Sequence, residues 1–474
     1  MTAPALPLDS PHRTRPGRVL TVMCAGMFLV LLDVTIVNVA LPSIGHDLRA
    51  DVSMLQWVVD GYAVAIASML LAGGAIGDRI GHRRVLLAGF AIFGIASLLC
   101  AIAPAIGVLI GARIAQGVGG ALLLPSTMAV IVDVFPTRAE QARALGTWAA
   151  FSSLALPAGP LLGGLLTDSL GWRFVFWINV PLTVIAVIAA LIVVPAQTVH
   201  VRGGRFDAAG LAGFVIGLGA LVFTIISIGH HAGLPTIAAA AVVTVLALAG
   251  TVYAEVRHPH PILPLDLLRH RAFLSPNVVA LTMNMIFNGS LFVVMLYLQD
   301  MRHFSALVSG LMVLPLAIPL IALAPVSGRL TAHYGPRVSV ACGCVIAAIG
   351  ALALTQLGAH SGIGWLIAGF LLLGCGAGLI TASVVAAVVR ATPEDRSGLA
   401  TGVSNTARQI GTASGVAIFG AIAGTPASSH FIGGIHLLAI IAAALWAGAL
   451  IVTLTGIEMR PAARARKPLV KSTP

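Results

Sequence analysis

Residues 19–40 read VLTVMCAGMFLVLLDVTIVNVA, an apolar run that contains one charged side chain, Asp33. A transmembrane α-helix needs about 20 consecutive apolar residues, so this run predicts a membrane span. Similar runs follow along the chain and predict fourteen spans, at 19–40, 55–76, 84–103, 108–131, 141–166, 173–194, 207–229, 235–255, 274–298, 306–328, 337–357, 363–388, 397–423 and 433–456. The sequence therefore predicts an all-α polytopic membrane protein with 14 transmembrane helices.

Composition excludes several other classes of protein. Of the 474 residues, 58% are hydrophobic and only 9% are charged, whereas soluble proteins carry about 25% charged residues. This excludes an ordinary soluble enzyme, a disordered chain and a nucleic-acid-binding domain. The five cysteines lie in apolar runs without metal-ligand spacing, and His230-His231 and His258-Pro-His260 are only weak metal motifs. We therefore predict no metal and no cofactor. We also predict no enzymatic activity, because the sequence shows no pairing of a nucleophile with a base.

Loops rich in arginine and lysine alternate with loops that contain few of them, and this alternation predicts the orientation of the protein in the membrane. Nearly all of them fall on the side of the two termini, and only Arg49, Arg173 and Arg302 fall on the other side. Cytoplasmic loops of membrane proteins are enriched in Lys and Arg, so both termini are predicted to be cytoplasmic. The use of 25 Arg against 2 Lys, with abundant Ala and Gly, is typical of a bacterium with a GC-rich genome and predicts the bacterial cytoplasmic membrane.

An internal repeat predicts the domain organisation. Glycines and an arginine after the second span recur at the same spacing after the tenth span, as Gly74, Gly81 and Arg83 and as Gly328, Gly335 and Arg337. Corresponding spans are eight apart, so two helices are inserted between two six-helix bundles, as expected for a transporter built from parallel repeats. The predicted divisions are a tail at 1–18, a bundle at 19–200, two linker helices at 201–260, a second bundle at 261–457 and a basic tail at 458–474.

Three ionisable residues are predicted at a similar depth in the outer half of the membrane. At 1.5 Å per residue, Asp33 lies about 22 Å beyond Arg18, and Asp60 lies about 27 Å from the cytoplasmic Asp78. Arg113 also falls in the outer half, so all three residues could occupy one polar cluster there. Charged groups inside a membrane are costly and usually functional, although each of these residues could instead make a satisfied structural contact.

Arg408 is predicted near mid-depth of the thirteenth span, flanked by Asn405 and Gln409. A buried arginine needs carbonyls, water or an acid across a cavity, and structural and functional roles remain open for it. Asn284 and Asn288 are one turn apart on the ninth span and could line the same cavity.

Four motifs, in order and on the expected spans, resemble those of one family. They are GAIGDRIGHRR at 74–84, LDVTIVNVALP at 32–42, RIAQGVGG at 113–120 and ALPAGPLLGG at 155–164. Together they resemble the major facilitator superfamily, and specifically its fourteen-helix drug:proton antiporter family. One position departs from the pattern, since Ala155 stands where the exporter motif usually begins with glycine.

The resemblance implies a major facilitator fold and roles for further residues. Asn38 and Gln116 join Asp33, Asp60, Arg113 and Arg408 as candidates for proton coupling and substrate binding. The loop after the second span is similar to a conformational latch, comprising Gly74, Asp78, Arg79, Gly81 and Arg83, with Asp133 as an arginine partner. The set Gly159, Pro160, Gly163 and Gly164 resembles the exporter motif; its glycines permit close helix packing and its proline bends a helix.

These features predict a proton-coupled antiporter that exports hydrophobic drugs or antibiotics, including cationic ones, by alternating access. The expected partners are a small hydrophobic substrate, protons and the lipid bilayer, with no nucleic acid, and the chain is expected to act as a monomer. The alternatives are a proton-coupled metabolite symporter and a membrane receptor or scaffold without transport. The exporter-type motif and the sparse polar lining of the spans argue against the symporter.

Overall fold

The computed structural model describes residues 16–195, 208–229, 232–257, 267, 269–359, 361–392 and 397–458. Within these ranges the chain forms helices and short turns, with no strand. We number the α-helices as follows: α1 Pro16–Leu48, α2 Val52–Ile80, α3 His82–Ala101, α4 Ile106–Val134, α5 Arg138–Ser153, α6 Ala155–Leu170, α7 Phe174–Trp177, α8 Asn179–Val193, α9 Ala208–Gly229, α10 Leu234–Arg257, α11 Arg271–Leu296, α12 Ala306–Ala322, α13 Ala324–Tyr334, α14 Pro336–Ala353, α15 Gly364–Arg390, α16 Ser397–Ala423 and α17 Phe431–Gly456.

Twelve helical segments of the described ranges are long and apolar enough to cross a membrane. This confirms the predicted all-α membrane class. The other two predicted spans, 141–166 and 397–423, are also helical but are not among the twelve. The first is divided between α5 and α6, and the second, α16, carries the polar residues Asn405, Arg408 and Gln409. The count of fourteen spans therefore stays a prediction.

The predicted bend of the fifth span lies earlier than Pro160. The helix is interrupted at Leu154, between α5 and α6, and α6 then continues through Pro160. Pro157, in the first turn of α6, crowds the carbonyl of Ser153 and donates no hydrogen bond to it. The interruption therefore falls just before Pro157, and not at Pro160.

The helices pack as two groups that meet along a seam. Helices before residue 196 contact mainly one another, as do helices after residue 268. Across the seam, α2 packs on α16, α6 on α12 and α1 on α11. The two predicted linker helices correspond to α9 and α10, which pack on each other, and α9 also contacts α2 and α16. We refer to the groups as the first and second halves; the domain boundaries given above remain predictions.

Candidate functional site

The side chain of Asp33, on α1, lies at the centre of a buried polar cluster. Its carboxylate accepts hydrogen bonds from Nη1 of Arg113, from Nε2 of Gln116 at 2.8 Å and from Nδ2 of Asn179 at 3.0 Å. All four side chains are almost completely removed from solvent. Three donors, one of them a guanidinium, stabilise the ionised carboxylate in a setting where an unpaired charge would be very costly. We call these four residues the Asp33 cluster.

Arg113 connects the Asp33 cluster to α2. Its Nε donates to the carbonyl of Val58 at 3.0 Å and its Nη1 donates to Oε1 of Gln116 at 2.7 Å. The guanidinium also lies 4.1 Å from the ring centroid of Tyr62, a cation–π distance. The arginine is therefore held by three helices, and a relative shift of α1, α2 and α4 would have to break these contacts.

Asp60 is also fully buried, but its surroundings differ. Among the described residues neither of its carboxylate oxygens has a hydrogen-bond partner, so the expectation that it shares one polar cluster with Asp33 and Arg113 is wrong. Tyr62 faces Arg113, and two residues along a helix correspond to a rotation of about 200°. Asp60 therefore points away from Arg113, on the same side as Gln56, whose Nε2 donates to the carbonyls of Val416 and Ala417 on α16 at 3.1 and 3.0 Å.

Asn38 and Arg408 lie outside the Asp33 cluster. Nδ2 of Asn38 donates to the carbonyl of Val34 on its own helix at 2.7 Å, and its Oδ1 has no hydrogen-bond partner among the residues that the structure describes. Arg408 is half-buried on α16, and within the described ranges its guanidinium forms no hydrogen bond or ion pair. One turn further along, Thr412 accepts a 3.2 Å hydrogen bond from Nδ2 of Asn288 on α11.

The latch residues lie at the opposite end of α2 from Gln56. Gly81 ends the helix with φ of 93°, a conformation that favours glycine. Arg83 donates through Nη2 to the carbonyl of Leu191 at 2.8 Å. Gly74 and Arg79 lie in the last turns of α2, and the exposed Asp133 lies in the last turn of α4. The side chain of Asp78 lies outside the described part of the structure.

At the close approach of α2 to α4, Gly73 lies nearer to α4 than its neighbour Gly74 does. A Cβ on Gly73 would lie 2.8 Å from the carbonyl oxygen of Ala121, whereas a Cβ on Gly74 would make an ordinary 3.8 Å contact with Pro125. Small residues at such crossings let helices approach closely. Of the neighbouring pair Gly73 and Gly74, it is therefore Gly73 that this packing requires to be glycine.

The glycines of the helix-5 motif face two different helices. A Cβ on Gly159 would overlap Thr35, and one on Gly163 would lie 2.7 Å from the carbonyl oxygen of Ile36, both on α1. A Cβ on Gly164 would lie 2.5 Å from Cα of Leu307 on α12, in the other half. The motif therefore packs α6 within its own half and also across the seam.

Hydrogen bonds across the seam are concentrated at one end of the molecule. We call the end with the α1–α2 turn the outer end, following the predicted orientation. There, besides the bonds of Gln56, Nε2 of Gln299 donates to the carbonyl of Val39 at 2.9 Å, and Asp168 accepts from the backbone N–H groups of Ala306 and Leu307. His46 and Asp300 also approach within 3.1 Å. This conformation is thus closed at the outer end.

Asn179 is the member of the Asp33 cluster that the sequence analysis missed, because it lies near a predicted span boundary rather than within a polar motif. Among the described residues there is no group of three or more His, Cys, Asp and Glu side chains placed to hold a metal ion. The histidines at 230, 231, 258 and 260, noted above as weak metal motifs, lie outside those residues.

Comparison with known proteins extends these observations. A sequence model described as Major Facilitator Superfamily matches residues 23–416 and 278–471. The chain is 32% identical over 399 residues to the multidrug resistance protein Stp of Mycobacterium tuberculosis, covering 84% of this chain and 74% of that protein. It is 33% identical over 415 residues to the tetracenomycin C resistance and export protein of Streptomyces glaucescens, covering 86% and 76%. It is also 33% identical over 411 residues to a methylenomycin A resistance protein of Bacillus subtilis, covering 85% and 87%.

Solved structures agree on the fold. The human organic anion transporter MFSD10 superposes with a TM-score of 0.65 at 15% identity, over 94% of this chain and 100% of that chain. The POT family transporter PepTSo gives a TM-score of 0.66 at 14% identity, over 93% and 98%. The family match spans most of the sequence, and the helices pack as they do in solved transporters. This multi-pass membrane protein belongs to the major facilitator superfamily.

Proposed function

We propose that this protein exports hydrophobic drugs or antibiotics, cationic ones included, across the bacterial cytoplasmic membrane in exchange for protons. Its relatives are named for multidrug resistance and for resistance to tetracenomycin C and methylenomycin A. The predicted orientation places both termini in the cytoplasm, and the predicted unit of function is the monomer. The observation that carries the proton-coupling proposal is the buried ion pair between Asp33 and Arg113.

A buried ion pair suits proton coupling because one proton changes its charge and its contacts together. When a proton binds a carboxylate oxygen of Asp33, the negative charge is removed and the attraction for Arg113 is lost. The guanidinium keeps its acceptors on Val58 and Gln116, so α1 is loosened from α4 while α4 stays attached to α2. Release of the same proton to the cytoplasm restores the pair.

The energy available is sufficient for export. One proton that moves inward through 100 mV releases about 2.3 kcal/mol. This sustains roughly a fifty-fold gradient of a neutral solute for each proton, because every 1.4 kcal/mol corresponds to a factor of ten.

Asp60 is proposed as a second acid on the transport route. With no hydrogen-bond donor beside it, a buried carboxyl group is stable as the neutral acid. Its position on the seam-facing side of α2 suits a group that is exposed when the halves separate. The half-buried guanidinium of Arg408 is proposed to meet polar groups of the substrate in the second half.

The remaining motif residues are proposed to control the conformational change. Gly74, Asp78, Arg79, Gly81 and Arg83, with Asp133, would form the latch at the inner end. Gly159, Pro160, Gly163 and Gly164 would keep the α6 surface flat enough to seal against α1 and α12, which is supported by the close approaches at these glycines.

Efflux from proteoliposomes under an imposed pH gradient tests the coupling. Suitable probes are ethidium, tetracenomycin C and methylenomycin A. Asp33→Asn keeps nearly the same volume but cannot ionise, so we expect proton-driven efflux to fall to the uncoupled rate while energy-independent substrate exchange persists. Asp47→Asn is the matched control, because Asp47 lies at the outer end and its hydrogen bonds to described residues stay within the first half, to Arg173 at 2.6 Å and Trp172 at 2.9 Å.

Two outcomes would contradict the proposal. Wild-type efflux that ignores the pH gradient would exclude proton coupling. Coupled efflux that survives Asp33→Asn but is abolished by Asp60→Asn would assign the coupling proton to Asp60.

A further inference from the structure

The backbones of the two halves approach closely where α6 crosses α12. A Cβ on Gly164 would lie 2.5 Å from Cα of Leu307, and a Cβ on Gly310 would lie 2.9 Å from the carbonyl carbon of Pro160. Both positions therefore require glycine, and the two backbones are nearly in contact. Asp168 is one turn beyond Gly164 on α6. Because the two helices are so close at this crossing, the side chain of Asp168 reaches the first turn of α12.

The carboxylate of Asp168 caps a helix that belongs to the other half. Its Oδ1 accepts from the backbone N–H of Ala306 at 3.0 Å, and its Oδ2 accepts from that of Leu307 at 2.9 Å. The next N–H group, on Val308, donates to Oγ of Ser305, the residue that precedes the helix. The first N–H groups of a helix have no partner within it and carry a partial positive charge, so a carboxylate there is strongly favoured.

The other contacts across the outer end are of a different kind. Gln56 and Gln299 donate as neutral amides to backbone carbonyls. The pair of His46 and Asp300 is exposed on the histidine side, and exposed ion pairs contribute little because water and salt screen them. In the described part of the seam, Asp168 alone joins the two halves by two charge-assisted hydrogen bonds to the backbone.

We propose that Asp168 is a positioning residue for transport, whose carboxylate holds the outer end closed. To open outward, the protein must break the hydrogen bonds between Asp168 and the first turn of α12. These bonds form again when the outer end closes. The proposal rests on alternating access within the superfamily fold and is independent of which acid carries the proton and of which drug is exported.

Distance measurements between spin labels test this proposal. Ala105→Cys and Gln356→Cys place labels on exposed outer positions of the first and second halves, in full-length protein whose five native cysteines are replaced by alanine. Asp168→Asn removes the charge but keeps the shape, so we expect the population with a long outer distance to rise about tenfold relative to the closed population. Asp168→Glu should restore part of the closed population.

Asp47→Asn is again the matched control, since it removes a carboxylate from the same end and the same half without touching the seam. A second variant changes the donor instead of the acceptor. Ala306→Pro removes one N–H at the first position of the helix, where proline is well tolerated. The preceding Ser305, at φ −63° and ψ 160°, already has the extended backbone that proline requires. This variant should shift the distances in the same direction as Asp168→Asn.

The two changes together should shift the equilibrium by less than the sum of their separate effects, because both break the same cap. Outer distances that are unchanged in Asp168→Asn, or that change equally in Asp47→Asn, would overturn the proposal. If Asp168→Asn does not fold, an unchanged distance distribution in Ala306→Pro would overturn it.

Discussion

Asp33 and Asp60 are both fully buried carboxylates of the first half, yet their surroundings are opposite. Asp33 accepts hydrogen bonds from three side chains on two other helices, whereas neither oxygen of Asp60 has a partner in the part of the chain that the structure describes. Burial alone therefore does not define what an acid in a membrane span does. The donors around it decide whether the stable form is the charged carboxylate or the neutral acid.

This difference also separates two kinds of response to a proton. Protonation of Asp33 breaks a network that joins α1, α4 and α8, so a local event changes how helices are held together. Protonation of Asp60 leaves no known contact to break in this conformation. If both acids take part in transport, Asp33 is suited to moving helices and Asp60 to carrying a proton between conformations.

Removing the cation from the Asp33 cluster should have the largest effect. Arg113→Met leaves a buried carboxylate with only amide donors, and breaking a buried ion pair in this way costs about 3–5 kcal/mol. We expect a strong loss of thermal stability in detergent and no coupled efflux. Arg113→Met combined with Asp33→Asn should be more stable than Arg113→Met alone by about 1 kcal/mol or more, because the uncompensated charge is gone. Melting temperatures of the purified variants measure this, and a double variant no more stable than Arg113→Met alone would show that the unpaired carboxylate does not carry this cost.

The same substitution at the two acids should change stability in opposite directions. Asp→Val keeps a branched side chain of similar size but removes the polar oxygens. At Asp60 it removes an unsatisfied buried group, so we expect a gain of about 1 kcal/mol. At Asp33 it strands Arg113, so we expect a large loss. A loss of stability in Asp60→Val would mean that Asp60 has a stabilising partner, and the contrast between the acids would then fail.

The sequence predicts Asp33 and Arg113 together but fails for Asp60, and the reason is geometric. Counting residues from the membrane edge gives depth, and Asp33 and Arg113 do meet. Depth contains no information on rotation about the helix axis. On α2, Tyr62 faces Arg113, and Asp60, two residues earlier, lies on the opposite side of the helix. The all-α membrane fold could be predicted because its apolar runs are long enough to cross a bilayer, and the four motifs resemble those of the superfamily.

Contacts between distant helices were the least predictable part. A motif identifies Gly164, but its neighbour Leu307 lies in the other half of the molecule. No local sequence pattern predicts that these two helices cross. Asp168 lies four residues further on, at a span end where acids are common, so the sequence offers no reason to single it out. Asn179 is a single amide near the start of a predicted span and belongs to no polar motif, so the sequence does not single it out either.

The smallest expected effect is the difference in stability and efflux between alanine substitutions at two buried amides, Asn179 and Asn38. Asn179 donates to the carboxylate of Asp33, which also binds a guanidinium, at 3.0 Å, whereas Asn38 donates to a carbonyl of its own helix. A hydrogen bond to a charged group contributes about 1.5–3 kcal/mol, and an ordinary one contributes about 1 kcal/mol. Asn179→Ala should therefore lower the melting temperature and slow coupled efflux several-fold.

Asn38→Ala serves as the comparison, because it removes the same amide from the same buried environment without changing the Asp33 cluster. We expect it to change both stability and efflux by less than Asn179→Ala does. A loss of coupled efflux in Asn38→Ala, with stability unchanged, would assign Asn38 to the transport route and move the boundary of the site one turn toward the outer end of α1. The two alanine variants thus decide whether the coupling site is confined to the donors of Asp33 or extends along the helix that carries it.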